Sequence, residues 1–390
     1  MSHRRFARGT VVLDGELRRA DVTTLDGHIA VVDTDPAGSD STESGGPHDV
    51  IDCEGLVIAP GFIDLQCNGA AGLDLTAGVA DGPGAIEHVA AALPRFGVTS
   101  FLPTVVTSPR RVRDAARDAL RRTRARASAG ATPLGLHFEG PMISQEHLGA
   151  HARDLATSLD DDEITEWITD DTVSLVTLSP ELSGSTAVIE RLSASGVVVS
   201  AGHTGMSPAQ FELARRSGLS YVTHLFNAMA PFSHRSPGPI GAVLADHAVT
   251  AGLICDGVHV DPVAVRLAWR ALGPSRLSLV SDAAAPLGAP FGTFDLGRRQ
   301  VRHDTTGVRT MDGTLAGSTL ALDQAVRNLV EFTGCSLVDA IATVTTTPAD
   351  LLRLTDRGRI TLGAHADLTI LDADGGLRAT VIGGDVVWSS

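Results

Sequence analysis

The sequence predicts a mixed α/β protein: a (β/α)8 barrel in the middle of the chain, with a small β-domain assembled from both termini. Three observations carry this. Eight apolar β-type runs alternate with helical stretches through the centre. Both ends are β-rich, whereas the centre is not. At 390 residues the chain can hold one domain of roughly 250 residues and a smaller one.

Thr10 to Asp33 alternates apolar and polar residues around the turn dipeptides Asp14-Gly15 and Asp26-Gly27. Asp35 to Asp49 is polar and Gly/Ser-rich, the composition of an exposed loop. The eight central runs are Leu56–Cys67, Val98–Val106, Pro133–Glu139, Val173–Ser179, Val197–His203, Ser220–His224, Val249–Cys255 and Leu277–Asp282. Helical stretches lie between them at Gly84–Phe96, Pro109–Ala127, Asp160–Thr169, Ser185–Ser195, Ser207–Ser217 and Pro262–Leu272. An open sheet of four to six strands is the fallback architecture. The acidic string Asp160 to Glu163 sits at a helix N-terminus, where carboxylates suit the dipole. Two more helices follow at Thr319–Thr333 and Ser336–Thr346. Ala366 to Trp388 is again strand-like, with a hairpin turn at Gly383-Gly384. These limits divide the chain into 1–58 plus 351–390, the β-domain, and 59–350, the barrel.

Hydrophobic residues make up 43% of the chain and charged ones 20%, the balance of a soluble globular protein. The formal net charge of −15 argues against nucleic acid or an anionic membrane as partner. An anionic small substrate would need a local cationic pocket. The first twenty residues hold no apolar core of a signal peptide, and no run approaches the roughly 18 apolar residues of a membrane span. Cys53, Cys67, Cys255 and Cys335 are widely spaced, which suits reduced thiols in the cytoplasm.

Glu139, His203, His224 and Asp282 each stand where an apolar run breaks into a Gly-rich or polar loop: the third, fifth, sixth and eighth runs. Parallel barrel strands converge, so these ends meet at one rim. A carboxylate with two imidazoles is a metal-ligand set that leaves positions open for water and substrate. It suits Zn²⁺ first, and Fe²⁺, Mn²⁺ or Co²⁺ also fit. Taken singly, Glu139 reads equally well as the partner of an arginine, each histidine as a scaffold residue and Asp282 as a helix N-cap. His137, two residues before Glu139, shares its face one layer deeper and reads as a core histidine. A bound cation can lower the pKa of water from 15.7 to about 7. Asp282 could then accept the water proton and later deliver it to a leaving amine.

Several strings make the chain resemble the amidohydrolase superfamily and, within it, the N-acetylglucosamine-6-phosphate deacetylase family. They are Pro60-Gly61-Phe62-Ile63-Asp64, His137 to Pro141, Gly202-His203-Thr204, His224 to Met229, Asp256-Gly257-Val258-His259, Ser281-Asp282-Ala283 and Gly313 to Ser318, with Gly358-Arg359-Ile360 and Gly363 to Leu368 near the end. The resemblance implies a TIM-type barrel with a small β-sandwich domain, usually a homodimer, acting on an N-acetyl amino-sugar phosphate. It implies one divalent metal held by Glu139, His203 and His224, with Asp282 as catalytic acid/base. His151 would polarise the acetyl carbonyl, with Ala150 beside it. Asn227, Ala228 and His259 would meet the sugar phosphate, with Asp256 at the same site. Arg235 would reach the partner subunit's phosphate, and Leu315, Ala316 and Gly317 would line the sugar site. Related sugar phosphates, such as the galactosamine epimer, and a non-catalytic sugar-phosphate sensor are the alternatives. Two departures stand out. Many superfamily members carry His-x-His after the first strand, where this chain has Gln66-Cys67-Asn68. Amides ligate divalent metals poorly beside imidazole, which predicts a single metal. The loop Ser144-Gln145-Glu146-His147 also lacks a lysine.

Overall fold

A computed structural model describes residues 3–35, 49–82, 84–126 and 130–390. The polar segment expected as a loop after Asp35 falls mostly outside them. One glycine marks where the two sheets of the fold part company. The run from Leu56 to Cys67 divides at Gly61. Val57–Pro60 pairs with His3–Leu13 and Leu368–Leu371 in the terminal sheet, while Phe62–Cys67 pairs with Val98–Val106 and starts the barrel. A Cβ at Gly61 would overlap the Thr99 side chain, so only glycine allows the approach.

The barrel strands are Phe62–Cys67, Val98–Val106, Leu136–Glu139, Val173–Leu178, Val198–Ala201, Leu219–Val222, Thr250–Leu253 and Leu277–Leu279. They are parallel and neighbour one another in chain order. The eighth closes on the first at the upper end: Asn68 N and Gly69 N donate to Ala283 O at 2.7 and 3.1 Å, and Ser281 N donates to Asp64 Oδ1 at 3.2 Å. These strands are covered on both faces, which explains their continuous Val/Leu/Ala runs. The eight expected runs are therefore the eight barrel strands, and the open-sheet fallback is excluded.

Helices pack outside the barrel at Ala85–Ala92, Arg110–Arg124, Asp161–Thr169, Ser185–Ala194, Pro208–Arg216, Gly238–Ala245 and Pro262–Leu272, with Leu322–Thr333 after the eighth strand. Asp160 caps the third of these, its side chain accepting from Glu163 N at 2.7 Å, which is the role its dipole position suggests. The acidic string has a further use: the Glu163 carboxylate receives both Nε and Nη2 of Arg113, at 2.6 and 2.8 Å, inside the helix–helix contact. After the eighth strand comes an antiparallel sheet of Gly292–Leu296, Arg299–Asp304 and Gly307–Thr310. It has a core of its own: Leu296, Val301, Val308 and Ala316.

Both termini supply the second sheet, in the order Asp385–Ser389, Leu377–Ile382, Leu368–Leu371, Val57–Pro60, His3–Leu13, Glu16–Leu25, His28–Asp33, with Asp49–Asp52 also on His3–Leu13. Phe6, Val11, Val22, Ile29, Ile58, Leu368 and Val381 bury its core. Among the described residues no helix is long and apolar enough to cross a membrane.

Candidate active site

The ends of the barrel strands deliver the site, and they do so with unusual backbone. His203, His224 and Asp282 have φ of 51°, 31° and 46°, as do Phe226 and Ala228 at 80° and 50°. Residues other than glycine avoid this region, at a cost on the order of 1–3 kcal/mol each. The turns re-aim each side chain from the strand into the barrel mouth. Surrounding hydrogen bonds hold them there: Thr204 N donates to Ala228 O, Ala230 N to Thr204 O, and Ser318 N to Asp282 O, at 3.1, 3.1 and 2.8 Å.

Glu139 lies at the centre. Its Oε1 stands 3.0 Å from His224 Nε2 and 3.2 Å from His203 Nε2, and the two Nε2 atoms are 3.2 Å apart. Its Oε2 faces His151 Nε2 at 3.7 Å. Burial would raise the Glu139 carboxyl, but the rings of His151, His203 and His224 packed around it outweigh that and hold the group well below the usual range. Among the described residues its ion-pair partners are all histidines, so the arginine alternative falls away there.

The chemistry of this donor set fits a divalent cation. His203 Nδ1 donates to His147 O at 2.9 Å, which leaves a lone pair on Nε2. Burial, then the neighbouring His151, lowers the His203 ring to about 4. A neutral ring therefore turns a lone pair towards a carboxylate oxygen and a second imidazole nitrogen, an arrangement that a shared cation makes favourable. Glu139, His151 and His203 each offer a ligand atom within 4.8 Å of the others. His224 is nearer still to Glu139 Oε1 and His203 Nε2. Glu139 Oε1, His203 and His224 therefore form the tighter set, with His151 on the opposite carboxylate oxygen.

Asp282 completes the rim. Burial, and then the Glu139 carboxylate, lifts its carboxyl to about 6. Its Oδ1 receives Gln66 Nε2 at 2.9 Å and Asn68 Nδ2 at 2.7 Å, and Gln66 Nε2 also reaches Glu139 Oε1 at 3.2 Å. The amides that replace His-x-His thus serve as donors to Asp282. Their period-two spacing on the first strand puts both in the mouth, a signal the sequence carried. Cys67 between them points away, and its Sγ lies 3.7 Å from Gly69 O.

These groups open onto a cavity of about 300 Å³ lined by Gly149, Ala150, His151, Asn227, Ala228, His259 and the run Thr314–Gly317, with Val106, Ile254 and Leu296 as an apolar wall. His259 Nδ1 donates to Asp256 Oδ2 at 2.6 Å, while its Nε2 is buried without a partner. Burial would raise Asp256, but the His259 ring and the N–H groups of Val258 and His259 outweigh it and hold the carboxyl down. Asp256 stands behind His259, outside the cavity lining. Gly317, at φ 69°, passes so close to the eighth strand that a Cβ would sit 3.0 Å from Ala284 Cβ. Arg235 is exposed on the loop after the sixth strand and does not line this cavity. His137 is a core residue beneath Glu139, between the hydroxyls of Thr104 and Thr177 at 3.2 and 2.8 Å. Val106, Thr107, Ile254, Leu296 and Thr314 were missed by sequence reasoning, since nothing local distinguishes them from barrel or loop residues.

The sequence profile of the Amidohydrolase family matches residues 57–387. The N-acetylglucosamine-6-phosphate deacetylase of Bos taurus is 38% identical over 394 residues, covering 98% of this chain and 95% of the bovine one. The chain belongs to this family of amidohydrolases, among its N-acetylglucosamine-6-phosphate deacetylases. The Pasteurella multocida deacetylase superposes over the full length of both chains, with a TM-score of 0.91 at 27% identity. A mutant Mycobacterium smegmatis deacetylase, solved in complex with N-acetyl-D-glucosamine 6-phosphate, does so with a TM-score of 0.88 at 30% identity. The family is metal-dependent, and the Glu/His cluster of this member offers the ligand atoms to hold a metal ion.

Proposed function

We propose that the chain hydrolyses the acetamide of N-acetyl-D-glucosamine 6-phosphate to D-glucosamine 6-phosphate and acetate. The observation that carries the reading is the convergence of Glu139 Oε1, His203 Nε2 and His224 Nε2 beside Asp282, in a chain of the deacetylase family. Glu139, His203 and His224 would hold one divalent metal, Zn²⁺ before Fe²⁺, Mn²⁺ or Co²⁺. Such a cation supplies Lewis acidity and makes water a nucleophile at neutral pH.

The protein's own groups do the rest. Asp282, held at Oδ1 by two amides, keeps Oδ2 for proton transfer: it takes the water proton and returns it to the sugar nitrogen as the C–N bond breaks. A hydrogen bond from His151 Nε2 to the acetyl oxygen stabilises charge developing there. As the doubly protonated ring, with Asp256 accepting from Nδ1, His259 donates its otherwise unpartnered Nε2–H to the phosphate, together with Asn227 and Ala228. Ala150, Leu315, Ala316 and Gly317 close around sugar and acetyl group. Arg235, exposed and outside the lining of its own cavity, suits the phosphate of a partner subunit in a homodimer. The two sheets support a division near 1–58 plus 351–390 and 59–350, with Val57–Pro60 belonging to the terminal sheet up to Gly61.

The test is acetate release measured side by side on the 6-phosphates of N-acetylglucosamine and N-acetylgalactosamine. A higher kcat/KM on the gluco epimer is expected, and preference for the galacto epimer would reassign the substrate. Binding of both without turnover in metal-replete protein would make the chain a sensor.

A further inference from the structure

We infer that Val106 and Leu296 set the length of the acyl group this site accepts, an inference that rests on the deacetylase reading above. Val106 ends the second barrel strand as the register partner of Glu139 on the third. Partners on neighbouring parallel strands turn their side chains to the same face, so Val106 enters the barrel mouth beside the Glu139 carboxylate. Its isopropyl group lines the cavity.

Leu296 reaches the same place from the sheet inserted after the eighth strand. It is buried with Val301, Val308 and Ala316, and Ala150 packs against this small core. The turn that follows it rests on Val106: a Cβ on Gly297, at φ 57°, would lie 3.3 Å from Val106 Cγ2. Both sides of the contact are tied to one helix start. Asp74, the N-cap of helix Leu75–Asp81, accepts from Gly297 N at 2.9 Å, and Thr76 Oγ1 accepts from Val106 N at 3.0 Å. The wall is therefore held by buried packing and hydrogen bonds, which a limit on chain length requires.

Its position decides which end of the substrate it meets. Asn227 and Ala228 follow the sixth strand and His259 the seventh, and in a barrel of eight strands in chain order the second lies across from the sixth. With the phosphate on that far side and the acetamide over Glu139, the acyl group points to the second strand. His151 stands there too: its Nδ1 is 2.7 Å from Oγ1 of Thr107, the residue after Val106. The acyl carbons beyond the carbonyl then run into Val106 and Leu296. Ile254, the third residue of the apolar wall, follows the seventh strand and belongs to the phosphate side.

The experiment measures kcat/KM of metal-loaded protein on the N-formyl, N-acetyl, N-propionyl and N-butyryl derivatives of glucosamine 6-phosphate. Each releases the same amine, so one amine assay reads the whole series. One methylene in an apolar pocket is worth roughly 10- to 200-fold, and wild type is expected to lose about 10-fold or more at each carbon beyond acetyl. Val106→Ala and Leu296→Ala should each raise the propionyl-to-acetyl ratio by on the order of 10-fold, while Ile254→Ala leaves it within about twofold. Val106→Ile, which narrows the pocket, should raise the formyl-to-acetyl ratio. Each ratio is taken within one variant, so loss of folded protein cancels; should Val106→Ala not fold at all, Leu296→Ala and Val106→Ile decide. An unchanged ratio in Val106→Ala, or an equal change in Ile254→Ala, overturns the inference. Release of amine from none of the series by wild type would count against the deacetylase reading instead. Calorimetric Kd values for the same series, compared between wild type and Val106→Ala, would then still read the wall, and a series equally flat in both would overturn it.

Discussion

Two carboxylates about one cavity carry unequal burdens. Glu139 is surrounded by imidazoles that keep it ionised, the condition a metal ligand needs. Asp282 is lifted by burial and by Glu139, the condition a proton carrier needs. Replacing Asp282 by Asn keeps size and polarity but removes the proton-accepting oxygen. The variant should retain its metal and bind substrate while kcat falls by on the order of 10² to 10⁴. Steady-state kinetics with metal analysis on the same sample check this, and near-normal turnover would remove Asp282 from the chemistry. Glu139, His203, His224 and Asp282, the proposed ligands and proton carrier, were legible in the sequence because each ends an apolar run. Their supports were less so. Gln66 and Asn68 were noticed for what they lack as ligands, while their donation to Asp282 depends on the eighth strand closing against the first, a contact more than 200 residues apart in the chain.

At the level of elements, buried charge couples the helices to one another and to the loops over the site. Arg113 and Glu163 join helices Arg110–Arg124 and Asp161–Thr169, with side chains 6% and 2% exposed. Arg113→Ala would strand the Glu163 carboxylate, costing about 3–5 kcal/mol of stability in a denaturant titration. Asp74 ties the N-terminus of helix Leu75–Asp81 to the inserted hairpin: its Oδ1 accepts Ala77 N and Gly297 N at 2.7 and 2.9 Å. Burial nonetheless lifts this carboxyl to about 7. With a folded value above the unfolded one, its contribution is fully present below about pH 4 and is lost as pH rises through 7. Asp74→Asn should therefore gain stability relative to wild type between pH 5 and pH 8, read from melting temperatures at both. A constant difference would contradict the assignment. Element order was the easiest feature to read, because apolar β-runs and helical patterns alternate from Val98 to Leu272 with one helix unread. Helix Gly238–Ala245 escaped: its sequence, Gly-Pro-Ile-Gly-Ala-Val-Leu-Ala, has no polar face and begins with turn residues. The hairpins from Gly292 to Thr310 escaped because exposed, charged strands show little apolar alternation.

For the whole molecule the question is how a chain of net charge −15 holds an anionic sugar. In the proposed function the local answer is His259 at the cavity and, across a homodimer, Arg235. Arg235→Ala should raise KM for the phosphorylated sugar with little change in kcat, since the guanidinium contributes binding rather than chemistry. An unchanged KM would reject the phosphate role. The measurement that bears most directly on the central claim is acetate release from N-acetylglucosamine 6-phosphate by freshly purified protein, with metal counted on the same sample. The account predicts rapid release with about one divalent metal per chain, loss of activity on chelation and recovery when Zn²⁺ is returned. A full metal site with no acetate released would contradict it.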